Sequence, residues 1–594
     1  MTARAVDSGS VGAMKSSTAP QLQVGETRRG FTWVDGVVML ALLTVFWSAL
    51  HFGKGMLVHF DASAQPAIDP SVWQIPYYAG RTLLRMWIAF AFSLVFAIGT
   101  GYLAAKNARA RLLILPALDV LQSVPVLGFL SATVTAFMAL FPGSLMGVEC
   151  AAIFAIFTGQ VWNMAFGFYH SMVTIPTDMQ EAATTYGMTR WQRFTTLELP
   201  ASAHSLIWNS MMSFGGGWFF VAQSEAITVM NRDIKLPGLG SYMAQAIERG
   251  DNTASLWAVV AMIVLILVSD QLVWRPLLAW ADKFKIELTE SQTPATSWVY
   301  DLLRGAYVFT WLGEHVVRPL MERTTRIGRR QARRLAPLKV VRGDYVWRAM
   351  VSVLLLWLAY EVLTGIVLAA EELRSALSWR LFGHIAWLGF LTMLRVIAMT
   401  VIATLVWTPV GVWIGFQPRV ARFAQPLAQI GASFPVNMTF PLVVGWFVAF
   451  NVSINWGSIL LIAMGTQWYI LFNVVAGAMA IPNDLKEAAT VYGLRKWNLW
   501  RTLILPAIFP FWVTGACTAA GGAWNASIVA ELASFGSTTL KADGLGAYIA
   551  EVTKTGETPL IIASIAVMSL FVVLMNKFIW RRLYAFAERR FRLD

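Results

Sequence analysis

Four ionisable side chains lie within or beside strongly apolar stretches of this chain. Glu225 and Glu531 stand near the ends of two such stretches, and Arg85 and Arg395 stand near the beginnings of two others. A carboxylate in such a stretch marks a functional position by default, and the planar guanidinium of arginine suits the binding of oxyanions. The structural alternatives stay open: the carboxylates can cap helices or accept backbone N–H bonds, and the arginines can reach toward lipid headgroups.

The sequence shows no spacing of Cys, His or Gly-Lys residues that is typical of a catalytic or metal site. The two cysteines, Cys150 and Cys517, lie in separate apolar runs, and the six histidines have no metal-ligand spacing. The only Gly-Lys pair, Gly53-Lys54, lacks the rest of a phosphate-binding loop. A membrane-embedded enzyme needs a convergent nucleophile, metal cluster or acid/base pair. We therefore expect no catalytic residue, no metal and no cofactor in this chain.

The composition predicts an all-α polytopic membrane protein. Hydrophobic residues make up 57% of the 594 residues and charged residues 13%, whereas soluble domains carry about 25% charge. The mean hydropathy is +0.58. The net charge of +13 comes from basic residues between apolar runs, which is typical of cytoplasmic loops and not of nucleic-acid binding.

One polar loop occurs twice. PTDMQEAATTYG begins at Pro176 and PNDLKEAATVYG begins at Pro482. The spacing of 306 positions continues to Arg275 and Arg581, and upstream it becomes 310, as between Thr82 and Thr392. A repeat of this length indicates two homologous halves in one chain.

We expect six membrane-spanning helices in each half. Those of the first half are predicted at 33–57, 79–105, 113–140, 148–173, 203–229 and 254–279. Those of the second half are predicted at 346–369, 385–415, 424–450, 455–480, 508–533 and 558–580. The corresponding divisions are a disordered cytoplasmic N-terminus (1–30), a first permeation domain (31–284), a basic linker (285–344) and a second permeation domain (345–594).

Basic residues set the orientation. They are frequent in the two repeated loops and in the linker, whereas 58–78 contains no Lys or Arg. Both termini, the linker and both loops are therefore predicted to be cytoplasmic, which makes the halves parallel repeats. Residues 300–320 mix aromatic, leucine and charged residues. They fit an interfacial helix or a soluble helix packed on the second half.

The repeated loop has the properties of a short docking helix. A proline begins it, paired alanines leave a smooth face, and Gly187 or Gly493 can take the left-handed conformation that ends a helix. The Glu-Ala-Ala pattern, the glycine and the later Leu-Pro resemble the loop by which permeases of ABC importers dock on their ATPase subunits. The resemblance assigns coupling roles to Glu181, Ala182, Ala183, Gly187, Pro200, Glu487, Ala488, Ala489, Gly493 and Pro506.

Other stretches are similar to the permeases that move nitrate, taurine, sulfonates and bicarbonate. They include TLLR at 82–85, TMLR at 392–395 and the segments from Trp218 to Glu225 and from Trp524 to Glu531. Family permeases usually carry one half per chain, so this chain is expected to be a fused pair. Candidates for the translocation pathway are Arg85, Trp218, Glu225, Arg395, Trp524, Asn525 and Glu531.

The resemblance implies an ATP-driven importer in the bacterial cytoplasmic (inner) membrane. Its partners would be two ABC ATPases that bind ATP and Mg, an extracytoplasmic substrate-binding protein, the lipid bilayer and a small anion. Paired glutamates in the pathway would repel an anion, so a nitrogen heterocycle or cation remains an alternative. An ion-coupled secondary transporter with parallel repeats and a non-transporting scaffold or sensor are further alternatives.

Overall fold

The computed structural model describes residues 32–59, 68–122, 124–229, 232–284, 297–317, 378–535 and 538–590, with a few single positions between 319 and 371. The predicted N-terminal segment 1–30 and, apart from those single positions, the basic part of the linker after 317 and the predicted span 346–369 lie outside these residues. The described part is almost entirely helical, with two short hairpins added.

The first half begins with one long apolar helix and continues through a bundle of helices. Its elements are α1 (Trp33–Lys54), α2 (Ile75–Lys106), α3 (Ala108–Leu121), α4 (Leu130–Leu140), α5 (Met146–Val173), α6 (Thr177–Thr185), α7 (Arg190–Arg193), α8 (Leu199–Ser224), β1 (Ala226–Val229), β2 (Arg232–Lys235), α9 (Leu239–Glu248), α10 (Asn252–Ser269) and α11 (Arg275–Ala281). Two linker helices follow, α12 (Trp298–Gly305) and α13 (Tyr307–Leu312).

The described part of the second half repeats this order. Its elements are α14 (Trp379–Gly415), α15 (Pro418–Ser433), α16 (Phe440–Ala449), α17 (Ile454–Met479), α18 (Asn483–Val491), α19 (Lys496–Leu499), α20 (Leu505–Ala530), β3 (Leu532–Phe535), β4 (Thr538–Lys541), α21 (Leu545–Thr555), α22 (Thr558–Met575) and α23 (Arg581–Arg590). Each β-pair is an antiparallel hairpin.

The third span of each half differs from the prediction of one continuous helix. The first half has α3, a 3-10 turn and α4 in place of 113–140. In the second half α15 and α16 are bent by 75° at the break. Pro125 and Pro435 precede the two turns, where proline favours a break because it lacks an N–H and crowds the preceding turn.

Eight helices among the described residues are long and apolar enough to cross a membrane, or nine if the bent pair counts as one span. The fifth spans end earlier than predicted, at Ser224 and Ala530, where the hairpins begin. These hairpins qualify the all-α prediction, which is otherwise confirmed.

Small residues let the central helices of each half pack closely. A Cβ at Gly101 of α2 would lie 2.8 Å from Phe168 of α5, and a Cβ at Gly411 of α14 would lie 2.8 Å from Val474 of α17. Close approach of this kind is how helices associate in lipid, where burial from water supplies no driving force. The packed order α2–α5–α8 is repeated as α14–α17–α20.

The linker helices α12 and α13 pack on the first half, against α1 and α11. The backbone N–H of Val308 donates to Oδ1 of Asp35, which is buried near the start of α1, at 2.8 Å. One of the two predicted alternatives was a soluble helix packed on the second half. That alternative is wrong, because these helices pack on the first half.

Candidate functional site

The repeated loops form matching exposed helices. Glu181 in α6 and Glu487 in α18 are exposed, while Ala183 and Ala489 are buried, with 4% and 5% of their surface exposed. One alanine of each pair therefore seats its helix on the bundle and leaves the carboxylate accessible.

Both helices end in the predicted left-handed turn. Gly187 has φ +62° and Gly493 has φ +67°, and a Cβ at either position would meet nothing within 4 Å. Backbone conformation, not space, is therefore what requires glycine here. Pro200 and Pro506 occupy the first turns of α8 and α20.

The loops are anchored differently in the two halves. In the first half the buried Glu198 forms ion pairs with Lys106 at 2.5 Å and with Arg193 at 3.0 Å. The equivalent positions of the second half are Ile504, Phe416 and Leu499. There Ile504 is buried, and both partners pack against the same hydrophobic core.

A buried ion network lies at the other end of the first half. Arg85 donates from Nε and Nη2 to Glu149 at 2.5 and 2.7 Å, and from Nη1 to Glu225 at 2.7 Å. Arg81 adds a further ion pair to Glu149. Glu225 also accepts from the Thr82 hydroxyl at 2.6 Å. All four ionisable side chains are fully buried.

The second half contains a reduced form of this network. Arg395 donates to Glu531 at 3.0 Å, and Glu531 also accepts from the Thr392 hydroxyl. In place of a second carboxylate, Asn455 accepts from Arg395 at 2.8 Å and donates to Asp543 at 3.1 Å.

Each network fixes the helix that follows a hairpin. The backbone N–H of Gly240 donates to Glu225 at 2.7 Å, and that of Gly546 donates to Glu531 at 2.8 Å. Both glycines lie in the first turn of a helix, where a carboxylate is favoured. Because Glu149 lies in the first turn of α5 and α6 follows the far end of α5, the network and α6 lie about 40 Å apart.

A central cavity of about 290 Å³ lies between the halves. Trp524 and Asn525 line it, and the Asn525 side chain accepts from the backbone N–H of Val126 across the interface at 2.8 Å. Trp218 instead lines a separate pocket of about 20 Å³. A second contact across the interface joins Asn437 to Gln223 at 3.1 Å.

The seven pathway candidates thus separate into groups. Arg85, Glu225, Arg395 and Glu531 belong to the networks and do not line the central cavity. Arg81, Glu149 and Asn455 were missed by the sequence reasoning. The available signal was a charge at the start of the fourth predicted span and a second arginine one helical turn before Arg85.

Comparisons with known proteins agree with this repeat. The model of the family described as binding-protein-dependent transport system inner membrane component matches residues 97–273 and 408–593. These two matches cover both halves and more than half of the chain.

Three relatives illustrate the similarity to individual proteins. A Bacillus subtilis protein described as a candidate aliphatic sulfonates transport permease is 30% identical over 36% of this chain and 72% of its own length. A glycine betaine/carnitine transport permease of Listeria monocytogenes is 23% identical over 42% and 84%. A nitrate import permease of Leptolyngbya laminosa is 26% identical over 31% and 62%.

Proposed function

Because this chain belongs to the family of binding-protein-dependent transport system inner membrane components, we propose that its two halves act together as the complete permease of one importer. The chain is a multi-pass ABC transporter permease, a transport subunit and not an enzyme. Its relatives include a sulfonate and a nitrate permease, and we infer that it imports a small anion.

The matched exposed helices α6 and α18 carry the proposal. Each presents an accessible glutamate and ends in a left-handed glycine, and together they offer two equivalent docking sites. We infer that one ATPase subunit binds at each helix and that ATP and Mg are held by those subunits. A substrate-binding protein would approach the opposite face, near the hairpins, in the cytoplasmic membrane of a bacterium.

The proposed mechanism follows from what holds the two ends of α5 and of α17. Closure of the ATPases would move α6 and α18, and the movement would pass to α5 and α17, to which these helices are joined. Glu149 and Asn455 tie the far ends of those spans to Arg85 and Arg395. Each half would therefore move largely as a unit and open the central cavity to one side at a time.

The test changes both coupling helices. A fourfold variant carries Glu181→Ala and Gly187→Val in α6 and Glu487→Ala and Gly493→Val in α18. It should abolish ATP-driven uptake in reconstituted vesicles, while the amount of inserted protein stays the same. Asp301→Asn, at an exposed carboxylate in the linker helix α12, is the matched control. Unchanged uptake in the fourfold variant, or uptake driven by an ion gradient with no ATPase present, would contradict the proposal.

A further inference from the structure

The two repeated loops have matching helices and different charges. Residues 176–200 contain two basic and three acidic side chains, which gives a formal charge of −1. Residues 482–506 contain four basic and two acidic side chains, which gives +2. The buried alanine and the left-handed glycine are common to both loops. The loops therefore differ by three charges on the same backbone arrangement.

Three basic residues of the second loop account for this difference. They stand at the positions of three neutral residues of the first loop: Lys486 at that of Gln180, Arg495 at that of Thr189 and Arg501 at that of Thr195. Arg495 and Arg501 are exposed, and Lys486 is half-buried with its ammonium 5.2 Å from the centre of the Phe416 ring. The ion pairs formed among the described residues include none of these three cations.

The first loop neutralises two cations from within. Lys106 and Arg193 form ion pairs with the buried Glu198, and Arg193 also donates to the side chain of Gln180 at 2.8 Å. The second loop has the buried Ile504 at the position of Glu198. Its three additional cations therefore keep their charge for a partner that approaches from outside.

We propose that the loop of the second half docks on an ATPase surface that carries carboxylates, so that this half holds its ATPase by charge as well as by shape. The first half then holds its ATPase by shape and apolar contact alone. The inference rests on the proposed function, because it specifies the ATPase surface that the second docking site fits. Exposed apolar side chains such as Tyr186 and Tyr492 are common to both loops, so charge is what distinguishes the two sites.

The positions of the cations favour an ATPase over lipid headgroups, which also attract basic residues near a membrane. Lys486 lies in α18 itself, directly before the exposed Glu487. Arg495 follows by two positions the glycine that ends this helix, Gly493. A protein surface that covers α18 therefore meets both cations.

The first experiment measures the charge at each loop with no partner present. Thr184 and Thr490 are equivalent and exposed, and each hydroxyl donates to the carbonyl oxygen four residues earlier at 2.9 Å. Each is changed to Cys in a chain that carries Cys150→Ser and Cys517→Ser, in phosphatidylcholine nanodiscs. The ratio of labelling rates with sulfonatoethyl and trimethylammonioethyl methanethiosulfonate should be about tenfold higher at position 490 than at position 184 in low salt. The difference should nearly vanish at about 0.5 M salt.

The second experiment measures docking in the complex of the chain with its ATPase subunits, in the same neutral nanodiscs. A photoreactive benzoylphenylalanine at position 184 or 490 records contact with the ATPase at each loop. Salt should weaken the contact at position 490 and leave the contact at position 184 unchanged, because only the second site depends on charge.

A triple variant of the second loop gives it the residues of the first: Lys486→Gln, Arg495→Thr and Arg501→Thr. In low salt it should weaken contact at position 490 about tenfold and remove the effect of salt. The matched control removes three exposed charges from α23 of the same half, by Arg582→Gln, Arg589→Gln and Arg590→Gln. It should leave both contacts unchanged.

The outcomes separate this inference from the proposed function. Equal labelling ratios at positions 184 and 490, a contact at position 490 that resists salt, or a triple variant that behaves like its control would each overturn the inference alone. An effect of salt that appears only with anionic phosphatidylglycerol in the nanodiscs would overturn it by assigning the cations to lipid. A lack of ATPase contact at both positions would contradict the proposed function as well, since neither loop would then be a docking site.

Discussion

Glu149 and Asn455 occupy equivalent positions in the two halves, 306 residues apart, and each accepts a hydrogen bond from the arginine of its own half. The position 310 residues after Arg81 is Leu391. The second half therefore has neutral residues in place of both a cation and an anion of the first half, so the buried ionisable groups of each network still match in number, with Asp543 exposed. Burying an unpaired charge is far more costly than burying none.

The first prediction tests this compensation. Glu149→Asn alone leaves Arg81 without its carboxylate in a fully buried position, so we expect a loss of about 3–5 kcal/mol. Adding Arg81→Leu should recover most of this loss by reproducing the arrangement of the second half. The measurement is the midpoint of thermal unfolding of the purified protein in detergent, and a double variant no more stable than Glu149→Asn would contradict the argument.

The second prediction concerns the residues that anchor the two repeated loops. Glu198→Ile removes the partner of both Lys106 and Arg193. Their side chains are 34% and 27% exposed, so water offsets part of the cost, and we expect a loss of about 1–3 kcal/mol. The triple variant with Lys106→Phe and Arg193→Leu copies the apolar anchor of the second half.

The triple variant should unfold close to the wild-type temperature, whereas Glu198→Ile alone should unfold earlier. Ile504→Glu in the second half serves as the reciprocal variant, because it places a carboxylate where Phe416 and Leu499 offer no cation. If Glu198→Ile were neutral on its own, the ion pairs would not anchor the loop.

The third prediction concerns the glycines that follow the hairpins. A Cβ at Gly240 would lie 2.3 Å from the carbonyl oxygen of Ala222, and one at Gly546 would lie 2.5 Å from that of Ser527. These are backbone atoms and cannot turn aside, so Gly→Ala at either position should cost about 1–3 kcal/mol.

Protease cleavage at the hairpins, at Lys235 and Lys541, should become faster in the two glycine variants. Gly99→Ala is the control, since a Cβ at Gly99 meets nothing within 4 Å. Cleavage that is equally fast in all three variants would show that the close approach does not hold the hairpins in place.

The fourth prediction addresses the linker. Asp35→Ala removes the acceptor for the Val308 N–H and for the Thr32 N–H and hydroxyl. The linker helices should then detach from α1 more often, and trypsin should cleave after the exposed Arg304 sooner than in the wild type. Thr44→Ala removes only a bond within α1 and should leave the cleavage rate unchanged.

The internal repeat and the apolar runs of the sequence are enough to predict two similar helical halves. The repeat, the apolar runs and the left-handed glycines were predicted because each depends on local composition or spacing. For the same reason α6 and α18 begin after the expected prolines and are followed by the expected glycines. Their roles in coupling stay predictions until the variants are measured.

The networks and the broken third spans were harder to foresee. Glu225 and Arg85 are 140 residues apart in sequence, and a single sequence does not indicate which buried charges meet. Pro125 and Pro435 were visible, but proline is tolerated in many membrane helices, so their presence alone did not predict a bend.

One contact between the halves limits which copies of a half can pair with each other. Asn525 bonds to Val126, but the residue equivalent to Asn525 in the first half is Phe219, which offers no acceptor. Two copies of the first half would leave the Val126 N–H facing an aromatic ring. The first half therefore cannot form this contact with a second copy of itself, and covalent fusion supplies it with the second half in a fixed ratio of one to one.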